Sequence, residues 1–97
     1  MRKEDIYVIA DEIYSRLVYD DFKFVSFAAL GEDIKKKTII ITGVSKTYSM
    51  TGWRIGFAVG PAEIISAMSK VQSHTTSNAC SISQKASVEA LTGPQAE

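Results

Sequence analysis

The chain has 97 residues, enough for one small domain and not for two. Eleven basic and eleven acidic side chains cancel, so no overall field favours nucleic acid or an anionic membrane as a partner. One cysteine excludes an internal disulfide, and no apolar stretch approaches the roughly 20 residues that a membrane span needs. The charged start, residues 1–5, has no apolar signal-peptide core behind it. We therefore expect a cytoplasmic protein that binds neither nucleic acid nor membrane.

Three short apolar runs predict three β-strands. They are residues 6–10, 38–42 and 55–59, and their composition is typical of strands buried on both faces. The long link between the first two runs permits a parallel, right-handed connection. Only about a dozen residues join the second and third runs, which is short for a parallel crossover. We therefore expect the third strand to be antiparallel to the second.

Two helices are predicted after the third strand. Pro61 is suited to be the first residue of one helix, whose apolar side chains recur at helical spacing on one face: Ile64, Ile65, Met68 and Val71. Ser81 and Gln84 form a capping-box pattern that predicts the start of a second helix, and Gly93 and Pro94 end it. Both helices thus lie at the C-terminal end of the chain.

The remaining segments give weaker indications. Residues 26–30 predict one helical turn, ended by Gly31, and the basic triplet 35–37 predicts a solvated loop. Cys80 is expected to be a small residue that fills buried or semi-buried space. His74 has no visible metal partner, so it is given no role and no metal site is predicted.

Lys46 is the most informative residue of the chain. It follows the second predicted strand directly, in a loop, and Arg54 comes eight residues later at the start of the third. A lysine at the end of a buried strand can react with an aldehyde to form an imine, and an arginine can hold an anionic group of the same molecule. This combination is what a pyridoxal-phosphate enzyme needs.

Three motifs together carry a resemblance to a known family. They are Asp-Glu-Ile-Tyr at residues 11–14, Ser-Lys at 45–46 and Thr-Gly-Trp-Arg-Ile-Gly at 51–56. In order and spacing they resemble the class I and II aminotransferases, which are fold-type-I pyridoxal-phosphate enzymes, and most of all the aspartate/aromatic aminotransferase-like branch. The resemblance extends over nearly the whole chain, whereas whole family members are several times longer.

The resemblance implies an α/β fold and a place within it. Residues 1–97 would form part of the large, cofactor-binding domain, with a mixed, mostly parallel sheet whose third strand is antiparallel, two C-terminal helices and no second domain. The strand inventory agrees, because three strands buried on both faces need helices on both sides and the chain offers two helices at one end. We therefore expect a piece of a larger protein, with exposed apolar faces when isolated.

The resemblance also implies a role for each matching residue. Lys46 would be the catalytic residue, forming the imine with the cofactor and then moving the substrate α-proton as base and acid. Asp11 would pair with the pyridine nitrogen and keep it protonated, and Tyr14 would donate to the ring oxygen. Arg54 would clamp the phosphate with its planar fork, and Ser45 would add a hydroxyl contact to the same phosphate.

Each of these residues has a plainer alternative. Lys46 is by itself compatible with an ordinary surface lysine. Asp11 could cap the turn after the first strand, and Tyr14 could be a core aromatic with a solvated hydroxyl. Arg54 could be an ion-pair partner.

By resemblance, the parent protein is an aminotransferase of amino-acid metabolism that moves an amino group between an amino acid and a 2-oxo acid, as a homodimer with shared active sites. The segments that would carry the rest of the phosphate site and the substrate-binding arginine lie outside the chain, so the chain alone is expected to be inactive. Two alternatives remain: a fold-type-I carbon–sulfur β-lyase or related lyase, and a non-catalytic α/β interaction module.

Overall fold

The computed structural model describes residues 5–96. Within them the chain forms an α/β arrangement of three strands and three helices. In chain order these are β1 (Val8–Asp11), α1 (Glu32–Lys35), β2 (Thr38–Gly43), β3 (Gly56–Val59), α2 (Ala62–Thr75) and α3 (Ser81–Thr92). Two short 3-10 turns, Phe27–Leu30 and Thr51–Trp53, precede α1 and β3.

The three strands form one mixed sheet in the order β1-β2-β3. β1 is parallel to β2, with Val8 opposite Thr38, and β3 is antiparallel to β2, with Gly43 opposite Gly56. Both predicted strand orientations are therefore confirmed, although β1 begins at Val8 rather than at residue 6. This topology brings the carboxyl ends of β1 and β2 and the start of β3 to the same edge of the sheet. This edge runs across the strand ends and is not one of the two outer strands.

The main apolar cluster lies just beyond that edge, while Ile39 of β2 is buried separately within the sheet. Val44 is fully buried, and Met50 and Ile55 are almost as inaccessible. Ala86 and Ala90 of α3 pack against this cluster. The helix is therefore fixed to the loop after β2, at the edge where the predicted site residues lie.

The prediction that all three strands are buried on both faces is wrong. In β2, Thr38 and Ile39 are buried, but Ile9 of β1 is 71% exposed and Val59 of β3 is 57% exposed. β1 and β3 are the two edge strands, and the apolar composition of a strand reflects everything that packs on it in the complete fold. Residues 5–96 supply only part of that packing.

Helix α2 lies where the sequence predicted it, but its predicted apolar face is only partly buried. It begins at Ala62, with Pro61 as its N-cap residue rather than its first residue. Ile64 is half-buried, whereas Val71 on the predicted apolar face is 67% exposed. The apolar face thus lies partly open to solvent.

Helix α3 starts where it was predicted to start, but its cap differs. The N-cap residue is Cys80 and makes no side-chain cap bond, and Gln84 donates from Nε2 to the carbonyl of Ala79 at 2.7 Å. The predicted capping box is therefore wrong. Cys80 is also exposed rather than buried, and the nearby main-chain N–H groups of Ser83 and Ile82, in the first turn of α3, lower the pKa of its thiol.

The basic triplet is only in part the predicted solvated loop. Lys35 is the last residue of α1. Lys37 donates a hydrogen bond to Asp5, and this bond lowers the pKa of the aspartate and raises the pKa of the lysine. The pair is exposed, so its contribution to stability is small.

No helix within residues 5–96 is long and apolar enough to cross a membrane.

We expect the isolated chain to self-associate. Large apolar side chains are exposed on both edge strands, on α2 and on the segment that follows β1, among them Ile9, Tyr19, Phe22, Val59 and Val71. The open strand edges also offer unpaired main-chain groups to a second molecule. Light scattering coupled to size-exclusion chromatography should give a mass above that of the monomer, rising with concentration. A monodisperse, compact monomer at all concentrations would contradict this.

Candidate active site

Asp11 is the last residue of β1 and lies at the sheet edge beside β2, opposite Ile41. Its side chain is exposed, and Oδ1 accepts the main-chain N–H of Ile13 at 3.3 Å. The turn-capping alternative is thus present in the structure. It does not prevent another role, because a carboxylate has a second oxygen and several acceptor positions.

Lys46 and Tyr14, which lie far apart in sequence, meet at this edge. The ammonium nitrogen of Lys46 lies 5.4 Å from the centroid of the Tyr14 ring, within the range of a cation–π contact. The lysine is half-buried, unlike an ordinary surface lysine. Tyr14 is 58% exposed, which excludes the alternative of a core aromatic within residues 5–96. The fold therefore brings two predicted site residues into contact.

The loop that presents Lys46 is held by its own main chain and by the core. The N–H of Tyr48 donates to the carbonyl of Val44 at 3.1 Å, and that of Met50 donates to the carbonyl of Ser45 at 3.0 Å. Val44 and Met50 are both buried. Ser45 and Lys46 are thus enclosed between two buried residues on a compact turn, which restricts where the amine can go.

Arg54 joins the Thr51–Trp53 turn to β3 in an unusual backbone conformation. Its φ of 57° and ψ of 47° lie in the left-handed region, which non-glycine residues adopt rarely and often at functional sites. Nη1 donates to the carbonyl of Thr51 at 3.0 Å, so the guanidinium binds a main-chain oxygen within the described residues rather than a carboxylate. The side chain is exposed, and it forms no ion pair with another residue of the range 5–96.

Gly43 is the point at which the three segments converge. A Cβ at this position would lie 2.7 Å from the carbonyl oxygen of Ile55, 3.1 Å from the Cα of Gly56 and 3.3 Å from Cδ1 of Ile13. The first two are backbone atoms of the β3 start, and the third belongs to the turn after β1. The loop that contains Lys46, the segment that contains Arg54 and the turn after Asp11 can therefore meet only because residue 43 has no side chain.

The predicted site residues thus share one edge, although they are not equally close. Lys46 and Tyr14 are in contact, while Asp11 and Arg54 are placed there by the ends of β1 and β3. In open α/β sheets, ligands bind at the carboxyl ends of the strands, and this edge contains those of β1 and β2. It combines an amine, a carboxylate, a phenol and a guanidinium.

Two features of this edge were missed by sequence reasoning. The packing role of Gly43 depends on the exact register of β2 against β3, which the predicted antiparallel orientation does not specify. The second is the side chain of Glu12, which bonds to residues 26 and 27. Its distance in sequence from those residues leaves no local signal.

Comparison with known proteins identifies the family. The sequence profile described as aminotransferase class I and II matches residues 1–97. The chain is 54% identical over 93 residues to an asparagine–oxo-acid transaminase of Streptococcus mutans, covering 96% of this chain and 24% of that protein. It is 50% identical over 95 residues to an aspartate/prephenate aminotransferase of Cereibacter sphaeroides, covering 98% of this chain and 24% of that protein.

Solved structures agree with the sequence relatives. The crystal structure of the aspartate aminotransferase from Rhizobium meliloti superposes with a TM-score of 0.89 at 53% identity, covering 93% of this chain and 22% of that one. An aspartate aminotransferase of Thermus thermophilus gives a TM-score of 0.83 at 40% identity.

The chain therefore belongs to the class I and II aminotransferase family. Its sheet and helices form part of the α/β fold that these enzymes share. It spans about a quarter of the length of the relatives described above.

We expect Gly43→Ala to destabilise the fold by about 1–3 kcal/mol, because the added methyl must displace the backbone of the β3 start. Urea unfolding of the 97-residue chain, followed by circular dichroism at one fixed protein concentration, measures this.

Gly52→Ala is the matched control for that variant. A Cβ at Gly52 meets nothing within 4 Å, so this substitution should cause no loss and a gain of up to about 1 kcal/mol. Equal stability of the two variants would show that Gly43 is not the tight contact described.

Proposed function

We propose that this chain is the central part of the cofactor-binding domain of a pyridoxal-phosphate-dependent aminotransferase. The parent protein would transfer an amino group between an amino acid and a 2-oxo acid. The observation that carries the proposal is the contact of Lys46 with Tyr14 at the sheet edge where β1 ends with Asp11. The relatives described above are named as transaminases, which favours transfer over lyase chemistry.

The chemistry of the available side chains fits pyridoxal phosphate. The cofactor has an aldehyde, a basic ring nitrogen, a ring oxygen and a phosphate. The edge offers an amine at Lys46, a carboxylate at Asp11, a phenol at Tyr14 and a guanidinium at Arg54, one group of suitable chemistry for each. When bound, the cofactor supplies an electron-withdrawing ring that stabilises negative charge at the substrate α-carbon.

Lys46 would bind the cofactor and then move the proton. Its nitrogen would hold the cofactor through the aldehyde, and as a free amine it would take the α-proton of the substrate and give it to a carbon of the cofactor. Such a base must be held in place, and the half-buried position between Val44 and Met50 limits its movement. Tyr14 would donate its hydroxyl hydrogen to the ring oxygen.

Asp11 and Arg54 would fix the two ends of the cofactor. The exposed carboxylate of Asp11 would hold a proton on the ring nitrogen, since a negative partner favours the charged form. Arg54 has N–H groups beyond the one bonded to Thr51, and a planar guanidinium can bind phosphate oxygens in pairs. Ser45, half-buried beside Lys46, would add a hydroxyl to the same phosphate.

The wider assignment is also a proposal. We infer that residues 1–97 belong to one large domain, and that the parent acts as a homodimer in amino-acid biosynthesis in the cytoplasm. The identity of the amino acid depends on segments outside this chain. The lyase alternative predicts pyruvate and ammonia as products, whereas transfer yields a 2-oxo acid and a new amino acid.

A chimeric enzyme tests the proposed function. The chain replaces the matching segment of the Rhizobium meliloti aspartate aminotransferase, to which it is 53% identical. The chimera should transfer the amino group of aspartate to a 2-oxo acid, and Lys46→Ala should lower kcat by at least about 100-fold because the acid–base group is lost.

Lys70→Ala in the same chimera is the control, since Lys70 is exposed on α2, and it should leave turnover unchanged. The 97-residue chain alone should show no turnover. The assignment would be overturned if the chimera folds like the unmodified Rhizobium meliloti enzyme but is equally active with and without Lys46.

A further inference from the structure

Glu12 ties the end of β1 to two other parts of the chain. Its main-chain N–H donates to the carbonyl of Ile41 in β2 at 2.8 Å, and its carbonyl accepts from the hydroxyl of Thr42 at 3.4 Å. Its side-chain Oε1 accepts from the hydroxyl of Ser26 and from the main-chain N–H of Phe27, both at 2.9 Å. The side chain is half-buried.

The two side-chain bonds close a long loop. Phe27 begins the 3-10 turn Phe27–Leu30, and Ser26, its N-cap residue, makes no side-chain cap bond of its own. The carboxylate of Glu12 therefore satisfies the first N–H of that turn, a task that a local cap usually performs. Residues 13–25 are enclosed between Glu12 and Ser26, and Tyr14 lies at the beginning of this loop.

Within the loop, the main-chain N–H groups of Ser15, Leu17 and Phe22 each donate to the carbonyl three residues earlier, so these bonds shape local turns without tying the loop to the rest of the chain. Tyr19 is 81% exposed, Phe22 67% and Val25 63%, so the loop gains little from burial. The two bonds of the Glu12 side chain are therefore what joins the beginning of the loop to its end among the described residues. A charged acceptor with two donors makes stronger bonds than neutral partners do.

We propose that Glu12 is a positioning residue for the active site, acting through Tyr14. By closing the loop, it holds the Tyr14 ring against the ammonium nitrogen of Lys46, and so places the amine before the cofactor binds. The inference deepens the proposed function and rests on it for the catalytic importance of Lys46, but the contact itself exists without any cofactor.

The test is the reactivity of Lys46 in the cofactor-free chain. Brief reductive methylation with formaldehyde and cyanoborohydride, followed by peptide mass spectrometry, gives the labelling rate of Lys46 relative to that of exposed Lys70. Glu12→Ala should raise this ratio about two- to five-fold, which corresponds to the loss of an exposed cation–π contact. Tyr14→Leu, which removes the ring, should raise it by a similar factor.

Two further variants separate the hydrogen bonds from the charge. Glu12→Gln keeps Oε1 as an acceptor for both donors, in weaker bonds without the charge, and should give a rise well below that of Glu12→Ala. Ser26→Ala removes one of the two donors and should give a smaller rise in the same direction, which also serves if Glu12→Ala does not fold.

Thr38→Val controls for a general loss of stability. The Thr38 hydroxyl donates to the carbonyl of Ile34 at 2.7 Å at the opposite end of β2, so its removal should leave the ratio unchanged. The inference is overturned if Glu12→Ala leaves the ratio unchanged, if Glu12→Gln matches Glu12→Ala, or if Thr38→Val gives the same rise. These outcomes concern the cofactor-free chain, so they are independent of whether the chimeric enzyme turns over.

Discussion

The close backbone contact between Gly43 and the start of β3 is the constraint on which the rest of this structure depends. The antiparallel pair ends there, with Gly43 opposite Gly56, and the carbonyl of Ile55 occupies the space that a side chain would need. From this one point the chain leaves toward Lys46 in one direction and arrives from Arg54 in the other. The amine of Lys46 and the guanidinium of Arg54 are thereby carried by the two segments that meet at this end of the β2–β3 pair.

The core reinforces this arrangement from behind. Val44, Met50 and Ile55 are buried together and covered by the small residues of α3. Each of these apolar residues lies within four positions of Lys46 or Arg54 in sequence. This buried cluster thus lies directly behind the predicted site residues, while the edge strands and α2 remain largely open.

Much of this was predictable from sequence, for identifiable physical reasons. The strands and helices were predicted because β-branched runs and helical periodicity are local signals, and the antiparallel orientation of β3 followed from the short link. Burial was not predicted correctly, since Ile9 and Val59 depend on packing partners that an apolar run does not specify. The capping box failed at Ser81 because the chain placed Cys80 at the N-cap position instead.

The candidate site likewise has features that the sequence predicts and features that only the structure shows. Lys46, Asp11, Tyr14 and Arg54 were identified by motif, and the structure brings Lys46 and Tyr14 together. The left-handed backbone of Arg54 and the remote bonds of Glu12 had no sequence signal, because they depend on tertiary contacts across the sheet edge. Motifs therefore predicted the candidate reacting groups, and the structure was needed to show which residues surround and contact them.

The most direct test of the central claim is to find which lysine binds the cofactor. The chimeric enzyme is loaded with pyridoxal phosphate, reduced with borohydride and digested, and the modified peptide is identified by mass spectrometry. Our account predicts a single pyridoxyl label on Lys46, absent from the Lys46→Arg chimera. A label on another lysine, or one spread evenly over exposed lysines such as Lys70 and Lys85, would contradict it.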